Sequence, residues 1–540
     1  MEEKVDKLLA ELDDLKFDSL IFIFGIGEGE YIEELKKVTC ERNKIFIIEP
    51  NKGIYKKYSK VIKDTNITLV HFTKNNSDEF ERILSEEVHY RNFINLYVHD
   101  YNNYSKAYPS DYDAFINFVD DTYYRLAVFM STSTEFKKIS LENLISVINV
   151  LKESTPIDDY FMSNKGVPAI IVSAGPSLDK NIENLVKFKD KLNKFFIVAG
   201  NRTLKPLIEN GIKPDLIVSI DPQEITYTML KKYKDIDVPL MFCEQSNKKL
   251  VREYNGSKVY TTQGVLKNIE KLENIRTFFV GGSVAHSSVD TAILLGCNPI
   301  IFVGQDFAYT FGKHHSLNSS LDTDKNYNEK TAIETEDVFG NSILTDNLLL
   351  MYKKNMEFYI KSCLSEMNSK FINCSYGAKI EGTIHKELED ILKSNKFKII
   401  KSSIGNKEPI KIDEKIVFKD IIEYIDSVLI KCEEAIISCE TILQRKESFE
   451  KAVEMLGEIL EIVDDFVKSP KNLYFKGYFE TFLFDIKEKY FRMPAVKYNE
   501  LSADIIYQSD VFKKYFSELR KMLIEVKNLY TKTIEEINTK

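Results

Sequence analysis

Val167-Pro-Ala-Ile-Ile-Val-Ser-Ala-Gly-Pro-Ser-Leu-Asp179 decides the fold of this 540-residue chain. Residues 169–172 form a short apolar run of the kind a fully buried strand requires. The run breaks at Ser173-Ala-Gly-Pro-Ser177, and a helical pattern follows over residues 179–191. A second strand is predicted at 195–198, ending in Ala199-Gly200-Asn201, and a third at 216–220, ending in Asp221-Pro222-Gln223. Strand, helix, strand, helix, strand predicts a parallel sheet with crossover helices. Ligands of such sheets lie beyond the carboxyl ends of the strands. All three strands carry polar or glycine residues there, which makes that end the candidate active edge.

The pattern continues downstream. Strands are predicted at Pro239-Leu-Met-Phe-Cys243 and Thr277-Phe-Phe-Val280. Gly281-Gly-Ser-Val-Ala285, an apolar helix and a strand over 300–303 follow, the strand ending in Gly304-Gln305-Asp306. The polar, aromatic loop beyond it carries Lys313-His314-His315-Ser316, and a hydrophilic stretch leads on to Thr345-Asp346 and an amphipathic helix. A loop this long inside a compact domain reads as a lid or binding loop. Ser173–Ser177 is not a Walker loop, because no Gly-Lys-Ser/Thr follows, nor a full dinucleotide fingerprint. A glycine turn opening a helix still offers main-chain N–H groups to a phosphate, and Ser177 can cap that helix at the same time.

Upstream, residues 1–16 form an amphipathic helix, and Leu20-Ile-Phe-Ile-Phe24 runs into Gly25-Ile-Gly-Glu-Gly29. A strand at 45–48 ends in Glu49, and further strands are expected at 67–72 and 93–98. This is the layout of a nucleotide or S-adenosylmethionine loop, although such a loop can equally serve the fold alone. His71, His89 and His99 fall singly and read as structural or surface residues. Asp120-Asp121 and Asp158-Asp159 read as solvated charge. From Phe418 apolar residues recur every three or four positions, the period of a helical bundle. The expected class is α/β: a Rossmann-like N-terminal domain (1–115), a helical connector (116–165), a central doubly wound α/β domain (166–400) and a C-terminal helical bundle (410–540).

A net charge of −9 disfavours a nucleic-acid backbone as partner. The longest apolar stretch, near 292–303, is interrupted by Gly296, Asn298 and Pro299 and is too short to cross a bilayer. The N-terminus lacks the layout of a signal peptide. The seven cysteines are scattered without metal-ligand spacing. These features lead to the expectation of a cytoplasmic protein with no metal, no cofactor and no membrane partner; homo-oligomerisation stays open.

Gly175-Pro176-Ser177-Leu178, Asn201 and Gly282 with Gln305-Asp306-Phe307 resemble bacterial sialyltransferases that use CMP-sugars. Val172–Asp179, Ser219-Ile-Asp-Pro-Gln223, Gly281-Gly-Ser-Val-Ala285, Gly304-Gln-Asp-Phe-Ala-Tyr-Thr310 and Gly312-Lys-His-His315 more closely resemble the motility-associated factor (Maf) glycosyltransferases. The layout resembles theirs over nearly the whole chain, the motifs over 165–385. The resemblance implies transfer of a nonulosonic acid of pseudaminic or legionaminic type from a CMP-sugar to Ser or Thr of flagellin, with or without the flagellin chaperone. That reaction would serve flagellum assembly and motility.

It further implies that Gly175, Pro176 and Ser177 meet the CMP phosphate, Asn201 the phosphate or ribose, and Gly282, Ser283, Val284 and Ala285 the cytidine. Asp306 would lie near the reacting sugar, with Asp221, Gly304, Gln305, Thr345 and Asp346 completing the nucleotide-sugar site. The sialyltransferases place a catalytic His before a Thr-Asp pair. Here Gly340-Asn341-Ser342 stands there, and Asn cannot act as a base. His315 is therefore the candidate base and Asp306 the second. Arg202 and Lys205 are candidates to meet the leaving group, with a solvated helix face as the plainer reading of Lys205. His286 is expected in the pocket wall or at the helix start, and His385 in a structural role. An ATP-dependent diphosphotransferase similar to hydroxymethylpterin pyrophosphokinase and a non-catalytic flagellin-binding protein are the competing functions, with an S-adenosylmethionine methyltransferase as the outsider.

Overall fold

Ile170, Val172, Ile197, Ala199, Ile301 and Val303 bury into one apolar cluster, and Ala169, Ile171, Phe196, Val198, Ile300 and Phe302 into another. Successive strand residues point to opposite faces, so this division puts one cluster on each side of a single sheet. With both faces covered, the strands read as unbroken apolar runs rather than alternating ones. Each large side chain so buried contributes roughly 1.5–3 kcal/mol. The computed structural model describes residues 2–62, 64–317, 319, 332–394, 396–405 and 407–539. Two compact units emerge: residues 1–137 with 422–528, and residues 138–421 with 529–540.

In the second unit the described residues form a sheet of nine parallel strands. Their spatial order is Ile384–His385, Phe371–Asn373, Ile300–Val303, Ala169–Val172, Phe196–Gly200, Leu216–Val218, Leu240–Phe242, Lys258–Tyr260 and Ser154–Pro156. From Ala169–Val172 the chain builds strand by strand to Lys258–Tyr260. It then returns to lay Ile300–Val303 against the opposite side of Ala169–Val172. This reversal opens a crevice beyond the carboxyl ends of those two strands. The helix Val284–Leu294, buried from Ala285 to Leu294, contributes Val289, Ala292 and Ile293 to the cluster on one face.

Several expectations change. Thr277–Val280 is not a strand: Thr277 makes one isolated bridge to Thr262, and the Phe279 amide is taken by the Asp290 carboxylate at 3.0 Å. The connector is a single helix, Pro109–Val150, and Ser154–Pro156 beyond it already belongs to the central sheet. The helix after the deciding turn is shorter, Leu178–Lys187, with a 3-10 segment at Lys189–Lys194. A hairpin, Ile333–Glu336 with Ser342–Thr345, follows the long loop. Residues 318 and 320–331 of the expected lid lie outside the described residues.

In the first unit four parallel strands, in the order Ile67–His71, Lys44–Glu49, Leu20–Phe24 and Leu96–Asp100, form the Rossmann-like sheet. The C-terminal helices of this unit pack on the N-terminal segment rather than standing alone. The Phe17 amide bonds the Met493 carbonyl at 2.9 Å, and Phe93 stacks on Phe484 with ring centroids 6.0 Å apart. Among the described residues no helix is long and apolar enough to cross a membrane. The seven cysteines are unbonded and buried.

The glycine loop of this unit is filled by its own chain. The Gly27 amide donates to the Tyr104 hydroxyl at 3.2 Å, and Glu49 accepts from the amides of Ile26 (3.2 Å) and Asn51 (2.8 Å). Burial raises the Glu49 carboxyl above its usual range, opposed by those bonds. A Cβ on Gly25, where φ is +98°, would lie 2.3 Å from the Tyr104 ring. The alternative that the loop serves the fold is the one this geometry supports. Gly25→Ala is expected to destabilise the protein by about 2 kcal/mol or more in urea unfolding, from left-handed strain plus overpacking. S-adenosylmethionine is expected to leave the melting temperature of the wild type unchanged.

Candidate functional site

A cavity of about 460 Å³ lies at the strand-order reversal. It gathers the ends of four strands: Ser173–Gly175 after Ala169–Val172, Gly200–Thr203 after Phe196–Gly200, Asp221 and Gln223 after Leu216–Val218, and Gly304–Ala308 after Ile300–Val303. Residues 282–285, His314 and His315 close it further, and Leu348, Leu349 and Tyr352 of the helix Asn347–Met367 add an apolar wall. Of the residues singled out in the sequence, Gly175, Asn201, Asp221, Gly282, Ser283, Val284, Ala285, Gly304, Gln305, Asp306 and His315 line this one cavity, together with Arg202.

Pro176, Ser177, Thr345, Asp346 and Lys205 are not in its wall. Ser177 is fully buried: its amide donates to Asp306 Oδ2 at 2.9 Å, and its hydroxyl donates to Asp306 Oδ1. The Gly175 amide is spent on the Gly304 carbonyl at 2.8 Å, and Pro176 has no N–H. The expected anion cradle of main-chain donors at 175–177 is therefore already satisfied from within. Thr345 is buried and donates to the Phe307 carbonyl at 2.8 Å. Asp346 caps the helix Asn347–Met367, accepting from the Leu349 amide at 2.8 Å and from the Tyr309 hydroxyl at 2.5 Å. Both brace the loop's base. Asn341 sits exposed at the hairpin tip, bonded to Asp337.

Asp306 lines the cavity, but its carboxylate is held by donors of the protein itself. Its carboxylate is 2 % exposed and accepts from the Ser177 amide and hydroxyl and from the Thr310 hydroxyl at 3.0 Å. Burial raises its carboxyl to about 6, and the bonds from Ser177 and Thr310 hold it from rising further. Its acceptor positions are committed to the protein. Gly175 is glycine for this reason, since a Cβ there would lie 2.1 Å from Asp306 Oδ2. The neighbouring Gln305 side chain accepts from the Ser173 hydroxyl at 2.6 Å.

What remains facing the cavity is differently placed. The helices Asn201–Glu209 and Val284–Leu294 both begin at its wall, presenting the positive ends of their dipoles. Arg202, in the first turn of the former, is the cation of this wall. Burial lowers its guanidinium, and Asp221 pulls the other way. Asp221 is open to the cavity yet crowded by protein. That crowding raises its carboxyl, opposed by Arg202 and by the Asn201 side-chain amide at 3.3 Å. His315 is pushed down to about 4, first by burial and then by repulsion from His314 and Arg202, while its ring bonds the Ala174 carbonyl. At neutral pH it is uncharged, with a free lone pair on one nitrogen. His286 lies behind the wall at the start of its helix, as expected, its ring between the carbonyls of Ser283 (3.2 Å) and Tyr352 (3.0 Å). His385 packs against Phe339 and Tyr376, as a structural ring. In the sequence Leu348, Leu349 and Tyr352 read only as part of an amphipathic helix, with no signal that one of its faces lines a cavity.

Residues 142–312 match the protein-family model described as MptE-like: 6-hydroxymethylpterin diphosphokinase MptE-like. An uncharacterized protein of Treponema pallidum (strain Nichols) is 26% identical over 133 residues, which span 25% of this chain and 61% of that protein. The solved structure of the MAf glycosyltransferase from Magnetospirillum magneticum AMB-1 superposes over 98% of this chain and 84% of its own, with a TM-score of 0.57 and 14% identity. The resemblance read from the motifs thus extends to the fold of nearly the whole chain.

His286 has a testable consequence for stability. Burial lowers it to about 4, so the unfolded chain takes up a proton near pH 6.5 that the folded chain refuses until about pH 4. Stability from this group is complete above pH 6.5 and is lost as pH falls through that window. Between pH 7 and pH 5 the loss is expected to be about 2 kcal/mol. Denaturant melts of His286→Gln should show a flatter acid limb than the wild type over that interval.

Proposed function

We propose that the cavity transfers a nonulosonic acid of pseudaminic or legionaminic type from its CMP-activated form to Ser or Thr hydroxyls of flagellin, in the cytoplasm, in support of flagellum assembly and motility. The observation that carries the reading is the pairing, in one cavity wall, of a cation at a helix start, Arg202, with an uncharged histidine, His315. The fold shared with the Magnetospirillum MAf glycosyltransferase supports it.

In this reaction the bond between the anomeric carbon and the CMP phosphate oxygen breaks, and its electron pair leaves on the phosphate. The acceptor hydroxyl oxygen forms the new bond to that carbon and gives up its proton. Negative charge growing on the phosphate meets Arg202 and the starts of the helices Asn201–Glu209 and Val284–Leu294, preorganised donors of the kind that lower such barriers. The proton goes to the His315 nitrogen not engaged with Ala174. The anionic donor also neutralises Arg202, removing one of the repulsions that depress His315. Binding therefore makes the base stronger at the moment it is needed. The charge comes from the protein, and the transfer is proposed to need no metal ion.

The family match at 142–312 favours one second reading, a diphosphotransferase acting with ATP and Mg²⁺. A ligand screen separates the two. CMP at a hundredfold excess over its dissociation constant should stabilise the protein by about 2.7 kcal/mol, read as a rise in melting temperature, while ATP with Mg²⁺ leaves it unmoved. The reverse pattern would sink the transferase reading. Intact flagellin mass compared between wild type and a deletion strain tests the acceptor. In vitro, His315→Ala should lower the transfer rate by about 10²–10⁴ with CMP binding retained. The acid limb of kcat should have its midpoint above that of kcat/KM, because the loaded enzyme carries the stronger base.

A further inference from the structure

His314 and His315 stand on a short span, residues 311–315, tied down at both ends by the turn that precedes them by more than a hundred positions. At the upstream end Thr310 donates to the Asp306 carboxylate at 3.0 Å, and that carboxylate is gripped by the Ser177 amide and hydroxyl. At the downstream end the Ser316 amide donates to the Ala174 carbonyl at 2.9 Å, the Ser316 hydroxyl donates to Asp179 Oδ1, and the Leu317 amide donates to Asp179 Oδ2 at 3.1 Å. The His315 ring bonds the same Ala174 carbonyl. Phe307 and Phe311 adopt left-handed φ of +50° and +56°, an arrangement costing a bulky residue roughly 1–2 kcal/mol each. Such strain persists only where surrounding bonds over-determine it.

We propose that the Ala174–Asp179 turn is a clamp: Ser177, acting through Asp306 and Thr310, and Asp179, acting through Ser316, hold the strained 311–315 span so that the His315 ring stays against the cavity. Ser177, Asp179, Thr310 and Ser316 lie outside the cavity lining and are positioning residues for the base. The inference rests on the reading of His315 as the base for its consequence in catalysis, but the clamp itself is a statement about this chain's own contacts.

The test uses the full-length protein and a readout that needs no donor sugar. Diethyl pyrocarbonate modifies uncharged histidines, and peptide mass spectrometry follows His315 separately from the rest. Thr310→Val and Ser316→Ala each remove one side-chain bond of the clamp, and His315 is expected to react about three- to tenfold faster in each, the factor one lost hydrogen bond supplies. Thr310→Ser keeps the hydroxyl and should restore the wild-type rate. His286, held by the Ser283 and Tyr352 carbonyls, is the internal control and should not change. Should Thr310→Val fail to fold, Ser316→Ala and Thr310→Ser still decide the matter. Unchanged His315 reactivity in a folded Ser316→Ala protein, or faster reaction in Thr310→Ser equal to Thr310→Val, would overturn the clamp. Once a donor is in hand, the clamp variants should lower kcat by more than they change the donor KM, since Thr310 and Ser316 do not themselves line the cavity. Altered reactivity with no transfer from any CMP-sugar would leave the clamp standing and remove the transferase reading instead.

Discussion

The Asp306 carboxylate is the contact on which the active edge depends. Removing a carboxylate from water is costly unless each oxygen meets strong donors, and charge-assisted bonds are the donors that suffice. Here Ser177 and Thr310 supply them, and burial still leaves the group raised to about 6. The bond set joins the loops that follow two adjacent strands, Ala169–Val172 and Ile300–Val303, at the point where strand order reverses. It also dictates residues that make no bond of their own. Gly175 has to lack a side chain because the carboxylate occupies the volume a Cβ would fill.

With the 175–177 amides consumed internally, the proposed recognition of an anion rests on the neighbouring helix starts and on Arg202. A guanidinium inside a protein wall keeps its charge despite burial, since its ordinary pKa is far above neutrality. His315 is poised by the same field from the other side. A base at about 4 is weak, but the repulsion depressing it includes a charge that an anionic donor would compensate. In the proposed reaction Arg202 therefore acts on both the leaving group and the base, and Asp221 beside it offsets part of the Arg202 charge.

The central strands were legible because strands buried on both faces must be continuous apolar runs, and residues 169–172 and 300–303 are such runs in the structure as well. Thr277–Val280 carried the same signal and failed, because a side-chain carboxylate, Asp290, takes the amide a neighbouring strand would have used. Strands of two or three residues, such as Ser154–Pro156 and Ile384–His385, offer too little pattern to read. The cavity residues were found where polar groups follow strands. Ser177, Thr345 and Asp346 carried the same signal, yet they bond within the protein: a polar residue at a strand end serves equally to bind a ligand or to satisfy a buried neighbour. Local sequence cannot separate these, since Ser177 meets Asp306 across 129 positions and Thr345 meets Phe307 across 38. The pairing of the C-terminal helices with the N-terminal segment was likewise invisible, as periodicity tells which face is apolar and not what covers it.

The described residues contain two parallel sheets, each with a glycine turn after an apolar strand, and the two turns meet different fates. In the N-terminal sheet Tyr104 occupies the space over Gly25 and bonds Gly27, and Glu49 is spent on the amides of Ile26 and Asn51. Among the described residues the main-chain amides of 25–29 are all bonded within the protein. In the central sheet the turn is equally satisfied from within, yet an open volume of about 460 Å³ lies beside it, lined by a cation, a carboxylate and an uncharged histidine. A glycine motif reports only that backbone comes close to something. Whether that something is a ligand or the protein's own side chain is decided by what packs against the turn, and the chemistry proposed for this chain lies in the open volume beside it, with Arg202, Asp221 and His315 in its wall.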